Sequence, residues 1–478
     1  MIFSSYIFMF VFFPLVFCGY FLLSKCRRPV FQHAFLVAAS LVFYGWDNPK
    51  YVFIIVTSIL FNYFLSFGLA KESFSDKTRK ALFILGIVFN IGILGFFKYT
   101  DFVISNVNFL TGSRIESLNL VFPLGISFFT FQQFSFIVSC YKNKTPCRNF
   151  INYALFVSFF PQLIAGPIVL YEEMMPQFQE EKRRRINAEN VIRGLAVFAS
   201  GFFKKIVLAD TFAVLATNGF SGAGSLSFLP AWIAVFAYAF QIYFDFSGYC
   251  DMAIGGALML NIELPLNFNA PYRAKNVREF WRRWHITLGR ALTTYVYIPL
   301  GGNRKGNART YLNLMATFLI SGLWHGPAWT FVVWGALHGF ANIFDRVFEK
   351  QQEKIPAFLR QLVTFLFVTI AWVLFRAQSW GQAGSVYKAM FAPRSMGGFS
   401  EICALFYDGY TNLPQLMSFA MICLIFLVGV VWVVKEKNAK SLAADFRITP
   451  KSAILLAVVY AFAILHLTRL SPFIYFNF

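Results

Sequence analysis

The chain has 478 residues, of which 58% are hydrophobic, 20% aromatic and only 13% charged. A soluble globular domain carries about 25% charged residues, so this composition excludes a soluble enzyme and any separate soluble domain. The formal net charge of +20 does not argue for a nucleic-acid partner, because no aromatic-basic binding module accompanies it. In a membrane protein it is the ordinary positive-inside bias, also usable by anionic membrane lipids or an acidic carrier protein on the same face.

The charges collect in short clusters between apolar runs of about 17–25 residues, the length that crosses ~30 Å of hydrocarbon. Residues 1–24 (MIFSSYIFMFVFFPLVFCGYFLLS) lack a basic n-region and a small-residue cleavage site, so they are expected to stay as a span rather than leave as a signal peptide. Bulky Phe17 before Cys18 argues against a lipoprotein site. Seven scattered cysteines form no CxxC pair, which gives no basis for a disulfide framework or a metal site.

Basic clusters order the first spans, expected at roughly 5–24, 30–46, 51–70, 80–97 and 120–141. Lys25, Arg27 and Arg28 follow the first, Lys71, Lys77, Arg79 and Lys80 the third, and Lys142, Lys144 and Arg148 the fifth. If those loops are cytoplasmic, the N-terminus lies outside. The alternation then breaks. NYALFVSFFPQLIAGPIVLY (152–171) lies between two basic loops and is interrupted by Pro161, Gly166 and Pro167, which predicts a re-entrant pair of half-helices. Broken backbone at membrane depth is tolerated only where protein or a water-filled cavity lines it.

Spans near 191–216 and 229–260 follow, the second carrying Asp245 and Asp251 in YFDFSGYCDM. Buried acids of this kind serve a proton relay or pair with a nearby Arg. Residues 273–309 are the most basic stretch, with nine Lys/Arg against the single acid Glu279, and are expected to face the cytoplasm. Spans near 361–376, 413–434 and 452–470 alternate correctly only if residues 309 and 346 share a side. SGLWHGPAWTFVVWGALHGF (321–340) must then be the turn of a hairpin or a re-entrant element, broken at Gly322, Gly326 and Pro327. The outcome is an all-α polytopic membrane protein of about 11–12 transmembrane helices with re-entrant elements.

His325 falls at that break. An ionisable group inside the bilayer is expensive and faces the interior or a water path, and imidazole suits proton transfer near neutral pH. The structural alternative is a hydrogen bond to a neighbouring helix. His285, in REFWRRWHITLG (278–289), lies on the apolar ITL side of a segment whose Trp281, Trp284, Arg282 and Arg283 suit an interfacial amphipathic helix. His338 stands thirteen residues after His325, ~20 Å away on a continuous helix. The two meet only if the chain folds back at Pro327, and a structural role is expected for His338. His33 and His466 are read as span-edge residues. No GxSxG, HExxH, Walker or Rossmann pattern is present, so the chemistry of those motifs has no support.

FFPQLIAGPI (159–168), DFSGYCDMAIG (245–255), NFNAPY (267–272), EFWRRWHITL (279–288), YIPLGGNRKG (297–306), SGLWHGPAWTFVVWGALHG (321–339) and FIYFNF (473–478) occur in this order. Together they resemble the membrane-bound O-acyltransferase family, in its bacterial alginate O-acetylation branch, which is related to the D-alanyl transfer branch. The resemblance implies one integral-membrane domain over 1–478, with N-terminal spans at 1–118, a motif-bearing catalytic core at 119–348 and C-terminal spans at 349–478, built around a central cavity or tunnel. It places the principal histidine at His325 and a second functional histidine at His285. Arg282, Arg283, Trp281, Trp284, Trp324 and Asp245 become donor-binding or supporting candidates.

The donor implied is acetyl-CoA or an acyl-carrier thioester, with no bound cofactor or metal. The partner implied is an exported polysaccharide acetyltransferase or an acyl carrier protein, and the location is the bacterial inner membrane. A D-alanyl transferase, a lipid-directed acyltransferase, and a transporter or flippase without acyl chemistry remain open alternatives, the last because re-entrant helices with buried charge also build transport sites.

Overall fold

The computed structural model describes residues 1–26, 28–392, 395–407, 413–467 and 473–474; Arg27, the end of the last expected span (468–470) and the last four residues of FIYFNF lie outside the described residues. Among the described residues every regular element is helical. Five helices among the described residues are long and apolar enough to cross a membrane: Lys50–Ala70, Asp76–Thr111, Phe228–Met259, Ala357–Arg376 and Gln415–Lys435. Three shorter apolar helices, Phe8–Leu23, Pro29–Gly45 and Pro450–Leu465, coincide with further expected spans. The residues pack as two compact units, Met1–Phe198 with Cys250–Pro265, and Ala199–Tyr249 with Leu266–Phe478.

In the first unit amides join several of the helices, beside the buried Arg79, which donates to the Leu69 and Tyr141 carbonyls at 2.8 and 2.9 Å. Asn62 on Lys50–Ala70 and Asn90 on Asp76–Thr111 exchange side-chain hydrogen bonds of 3.1 and 2.8 Å, and each also donates to the carbonyl four residues earlier on its own helix. Gln133 donates to Ser58 Oγ at 3.1 Å and accepts from Tyr153 Oη at 2.6 Å. Interhelical bonds of this type are worth about 0.6 kcal/mol on average in a bilayer. The Asp76–Thr111 helix runs 36 residues, ~54 Å at 1.5 Å per residue, well past the 80–97 expected. Ser75 caps its start and a left-handed Gly112 its end.

The interrupted segment does return to the side it left. Glu172 Oε1 accepts from Ser139 Oγ at 2.9 Å and from Asn143 at 3.4 Å, both near the end of the Ile126–Asn143 helix that precedes the segment. It is not a pair of half-helices. One nine-residue helix, Phe150–Ser158, is followed by the four-residue turn Phe160–Leu163 and then by non-helical chain up to Tyr171–Gln179. Pro161 sits in the first turn of Phe160–Leu163, where a missing N–H costs little. The run reaches Gly166, whose N–H meets the Gln162 carbonyl at 3.1 Å, and stops at Pro167, which has no N–H to give. The freed backbone is satisfied by side chains instead: Phe160 N–H donates to Ser40 Oγ at 3.1 Å, and Tyr171 N–H to Ser135 Oγ at 2.8 Å. Gln162 Nε2 donates to the Phe156 carbonyl at 2.9 Å.

In the second unit, Gly306–His325 and Trp329–Val347 form an antiparallel hairpin that turns over Gly326, Pro327 and Ala328. The expected fold-back is therefore present. Two glycines set how closely the helices approach. A Cβ on Gly322 would lie 2.2 Å from the Phe331 carbonyl oxygen, and one on Gly335 2.4 Å from that of Phe318. Close backbone approach through small residues is the usual way membrane helices gain packing energy. At the open end, the Arg278 N–H donates to Asp345 Oδ2 at 3.0 Å and its guanidinium pairs with Glu349 at 3.0 Å.

Candidate active site

His285 connects two short helices, Val277–Arg283 and Ile286–Leu292, and its own backbone is left-handed with φ +45°. A non-glycine residue held there costs on the order of 1–3 kcal/mol and persists only when its surroundings fix it. Here Asn267 fixes it. The Asn267 carbonyl accepts from Ile286 N–H at 3.0 Å. Its side-chain Oδ1 meets His285 Nδ1 at 3.1 Å, Thr287 N–H at 3.2 Å and Thr287 Oγ1 at 2.9 Å. His285 is fully buried, with 0% of its surface exposed.

The hairpin brings the other two histidines alongside. His325 is the last residue of the Gly306–His325 helix and 2% exposed, so its ring is turned inward, away from lipid. Its ring centroid lies 6.3 Å from that of His285, 5.0 Å from Trp324, and 5.2 Å from both Trp334 and Phe375. Phe246 closes on His285 edge-on at 4.8 Å. Trp334 sits between His325 and His338, with a centroid distance of 4.8 Å to the latter. The fold-back thus collects three imidazoles in one aromatic box, although they lie far apart in sequence.

His338 is held differently. Its Nδ1 accepts from Trp281 Nε1 at 3.1 Å. Indole can only donate, so the neutral His338 ring carries its proton on Nε2, which has no hydrogen-bond partner among the described residues. Phe280 and Phe367 cover its ring at 6.3 and 5.4 Å. This enclosure is compatible with the structural role expected for His338 and does not test it.

The tryptophans belong to the core and not to a headgroup belt. Trp284 has 0% exposure and packs at 5.1 Å on Trp372, while Trp281 is committed to His338. An indole with its N–H satisfied inside the protein has no reason to seek the interface. Of the two arginines, Arg283 reaches Glu279 Oε1 at 2.7 Å and the Asn269 carbonyl at 3.1 Å, whereas Arg282 is exposed. Partial burial works against a charged Glu279, but the Lys275 N–H and the Arg283 guanidinium outweigh it and hold the carboxyl below the ordinary carboxylate range.

Asp245 is spent on structure. Its Oδ1 pairs at 2.8 Å with Lys205, and its Oδ2 accepts from the Ile474 N–H at 2.8 Å. Lys205 also holds Asp210 at 2.8 Å, and the neighbouring Lys204 pairs with Glu436, which in turn accepts from Tyr243. The partner is a lysine and not the arginine considered from sequence. Both lysines belong to a π-helical turn, Lys204–Ala209, inside an otherwise α-helical run, a distortion common at sites under functional or packing constraint. His33 is buried against Asn152 Oδ1 at 2.8 Å, and His466 is exposed. A cavity of about 700 Å³ lies beside Lys275, Phe344, Arg360 and Phe367, and its lining includes neither His285 nor His325.

Asn267 and Thr287 were the residues that sequence reasoning missed as parts of the site. The signal was their place in the quoted motifs: Asn267 opens NFNAPY and Thr287 follows His285 and Ile286 in EFWRRWHITL.

The model of the membrane-bound O-acyltransferase family matches residues 128–380, which contain all three clustered histidines. The chain belongs to this family. Its helices and this membership make it an integral membrane O-acyltransferase. It is 41% identical to the peptidoglycan O-acetyltransferase of Helicobacter pylori, over 100% of this chain and 98% of the relative. It is 38% identical to the "Probable alginate O-acetylase AlgI" of Pseudomonas aeruginosa, over 82% of this chain and 75% of that protein. The teichoic acid D-alanyltransferase of Bacillus subtilis is 25% identical over 54% of this chain and 69% of its own length. Family membership selects acyl transfer over the transporter alternative.

Proposed function

We propose that this acyltransferase moves an acetyl group from a cytosolic thioester, acetyl-CoA or an acyl carrier, to hydroxyls of a cell-surface polysaccharide, either directly or through an exported partner acetyltransferase. The observation that carries the reading is the approach of the His285 and His325 rings to 6.3 Å inside an aromatic enclosure. A neutral His325 takes the proton of the acceptor hydroxyl as general base, a role worth about 10²–10⁴-fold in rate. His285 either positions the acyl carbonyl or assists the proton transfer. The basic 273–309 stretch, with Arg282 exposed on it, offers an electrostatic dock for donor phosphates or an acidic carrier. Full-length similarity to a peptidoglycan O-acetyltransferase supports peptidoglycan as the polymer and the bacterial cytoplasmic membrane as the location.

The test is ester analysis together with donor labelling. Inverted vesicles are given labelled acetyl-CoA or a labelled D-alanyl carrier, and the label appearing on the lumenal side is followed. Acetyl transfer that is lost in His325→Ala supports the reading. Unchanged surface ester content in that variant sinks the assignment of His325, and transfer of the D-alanyl label alone moves the protein to the other branch.

A further inference from the structure

The hydrogen bonds around Asn267 decide which of the two roles left for His285 is open to it. A backbone N–H can only donate, so the Asn267 atom facing the Thr287 N–H at 3.2 Å is the amide oxygen. The same oxygen faces His285 Nδ1 at 3.1 Å. An amide oxygen only accepts, so Nδ1 must carry a proton. We infer that Asn267 is a positioning residue that holds His285 in its Nδ1-protonated form, so that the neutral ring offers the lone pair of Nε2 and works as a proton acceptor.

A lone pair repels a carbonyl oxygen, so neutral His285 does not polarise the acyl group. It is instead a second resting place for the proton in the transfer. The acceptor oxygen–acyl carbon bond forms as the thioester C–S bond breaks. The hydroxyl proton, taken first by the histidine pair, is then delivered to the departing thiolate. His338, buried to the same degree, is the built-in contrast, because Trp281 forces its proton onto the other nitrogen. The catalytic consequence rests on the reading of His285 given above, whereas the protonation pattern does not.

The experiment uses the full chain in lipid vesicles with ¹⁵N-labelled histidine, and the His285 resonances are identified by their loss in His285→Gln. At neutral pH, His285 is expected to show Nδ1 protonated and Nε2 unprotonated, with the reverse pattern at His338. Asn267→Ala should mix the two forms of His285 and lower acetyl transfer at least about 10-fold, a part of what a positioned proton-transfer group contributes. Asn267→Asp keeps an oxygen acceptor, so it should restore most of the rate. Its carboxylate favours the protonated ring, and the acid limb of the pH–rate profile should therefore move to higher pH. A His285 protonated on Nε2 and not on Nδ1, or an Asn267→Asp profile that superimposes on wild type, overturns the inference. If His285→Gln transfers acetyl normally, the catalytic reading of His285 falls while the spectroscopic result on Asn267 stands.

Discussion

Two stretches of this chain break at Gly and Pro inside apolar surroundings, and they come to different ends. In the first unit the break after Phe150–Ser158 is absorbed by neutral side chains: Ser40, Ser135 and Gln162 take up the loosened backbone, and no histidine lies in the segment. In the second unit the break after Gly306–His325 ends on an imidazole that faces His285 across 6.3 Å. A broken helix is thus a device with two uses. It becomes a candidate active site where an ionisable group is left at its tip and aromatic rings enclose it.

The contrast can be tested from the largest expected effect downward. His325→Ala should reduce acetyl transfer by at least about 100-fold, the low end of general-base contributions, with the melting transition in detergent unchanged. Gly322→Ala drives a Cβ to within 2.2 Å of the Phe331 carbonyl oxygen. Overpacking of this kind costs about 1–3 kcal/mol, so the variant should melt earlier and lose activity, because His325 lies three residues further along the same helix. Ser40→Ala leaves the Phe160 N–H without its acceptor. That should cost about 1–3 kcal/mol of stability yet leave the transfer rate per folded molecule within two-fold (roughly the noise of ester assays). A large rate loss there would erase the distinction between the two breaks. Smallest of all, Gly95→Ala on Asp76–Thr111 meets nothing within 4 Å. It should raise stability by up to about 1 kcal/mol, the helix-propensity gain of Ala over Gly.

What could be read from the sequence follows from how local each signal is. Spans, the return of 152–171 and the fold-back at Pro327 come from hydropathy, charge alternation and backbone stereochemistry, all carried within a few residues. His325 stood out as a candidate because an imidazole in an apolar run is costly, whereas His285, inside a basic segment, became one chiefly through the family resemblance. Asn267 was not, since an amide is cheap enough to be common and its partner is chosen by tertiary structure eighteen positions away. The same holds for Asp245, whose partner Lys205 lies on a π-helical turn that no hydropathy pattern announces. The tryptophans misled for a related reason. Their spacing beside arginines matches an interfacial helix, but the partner that draws Trp281 inward, His338, stands 57 positions away on another helix.

The reciprocal amides of Asn62 and Asn90 bear on how the chain enters a bilayer. Delivered alone, the Lys50–Ala70 segment would expose to lipid tails one amide bonded only to its own Ser58 carbonyl. Arriving together with Asp76–Thr111, it buries that group against a matching one. At about 0.6 kcal/mol per bond the pair does not decide whether Lys50–Ala70, apolar enough to cross a membrane by itself, is inserted; it decides which face that helix turns toward Asp76–Thr111.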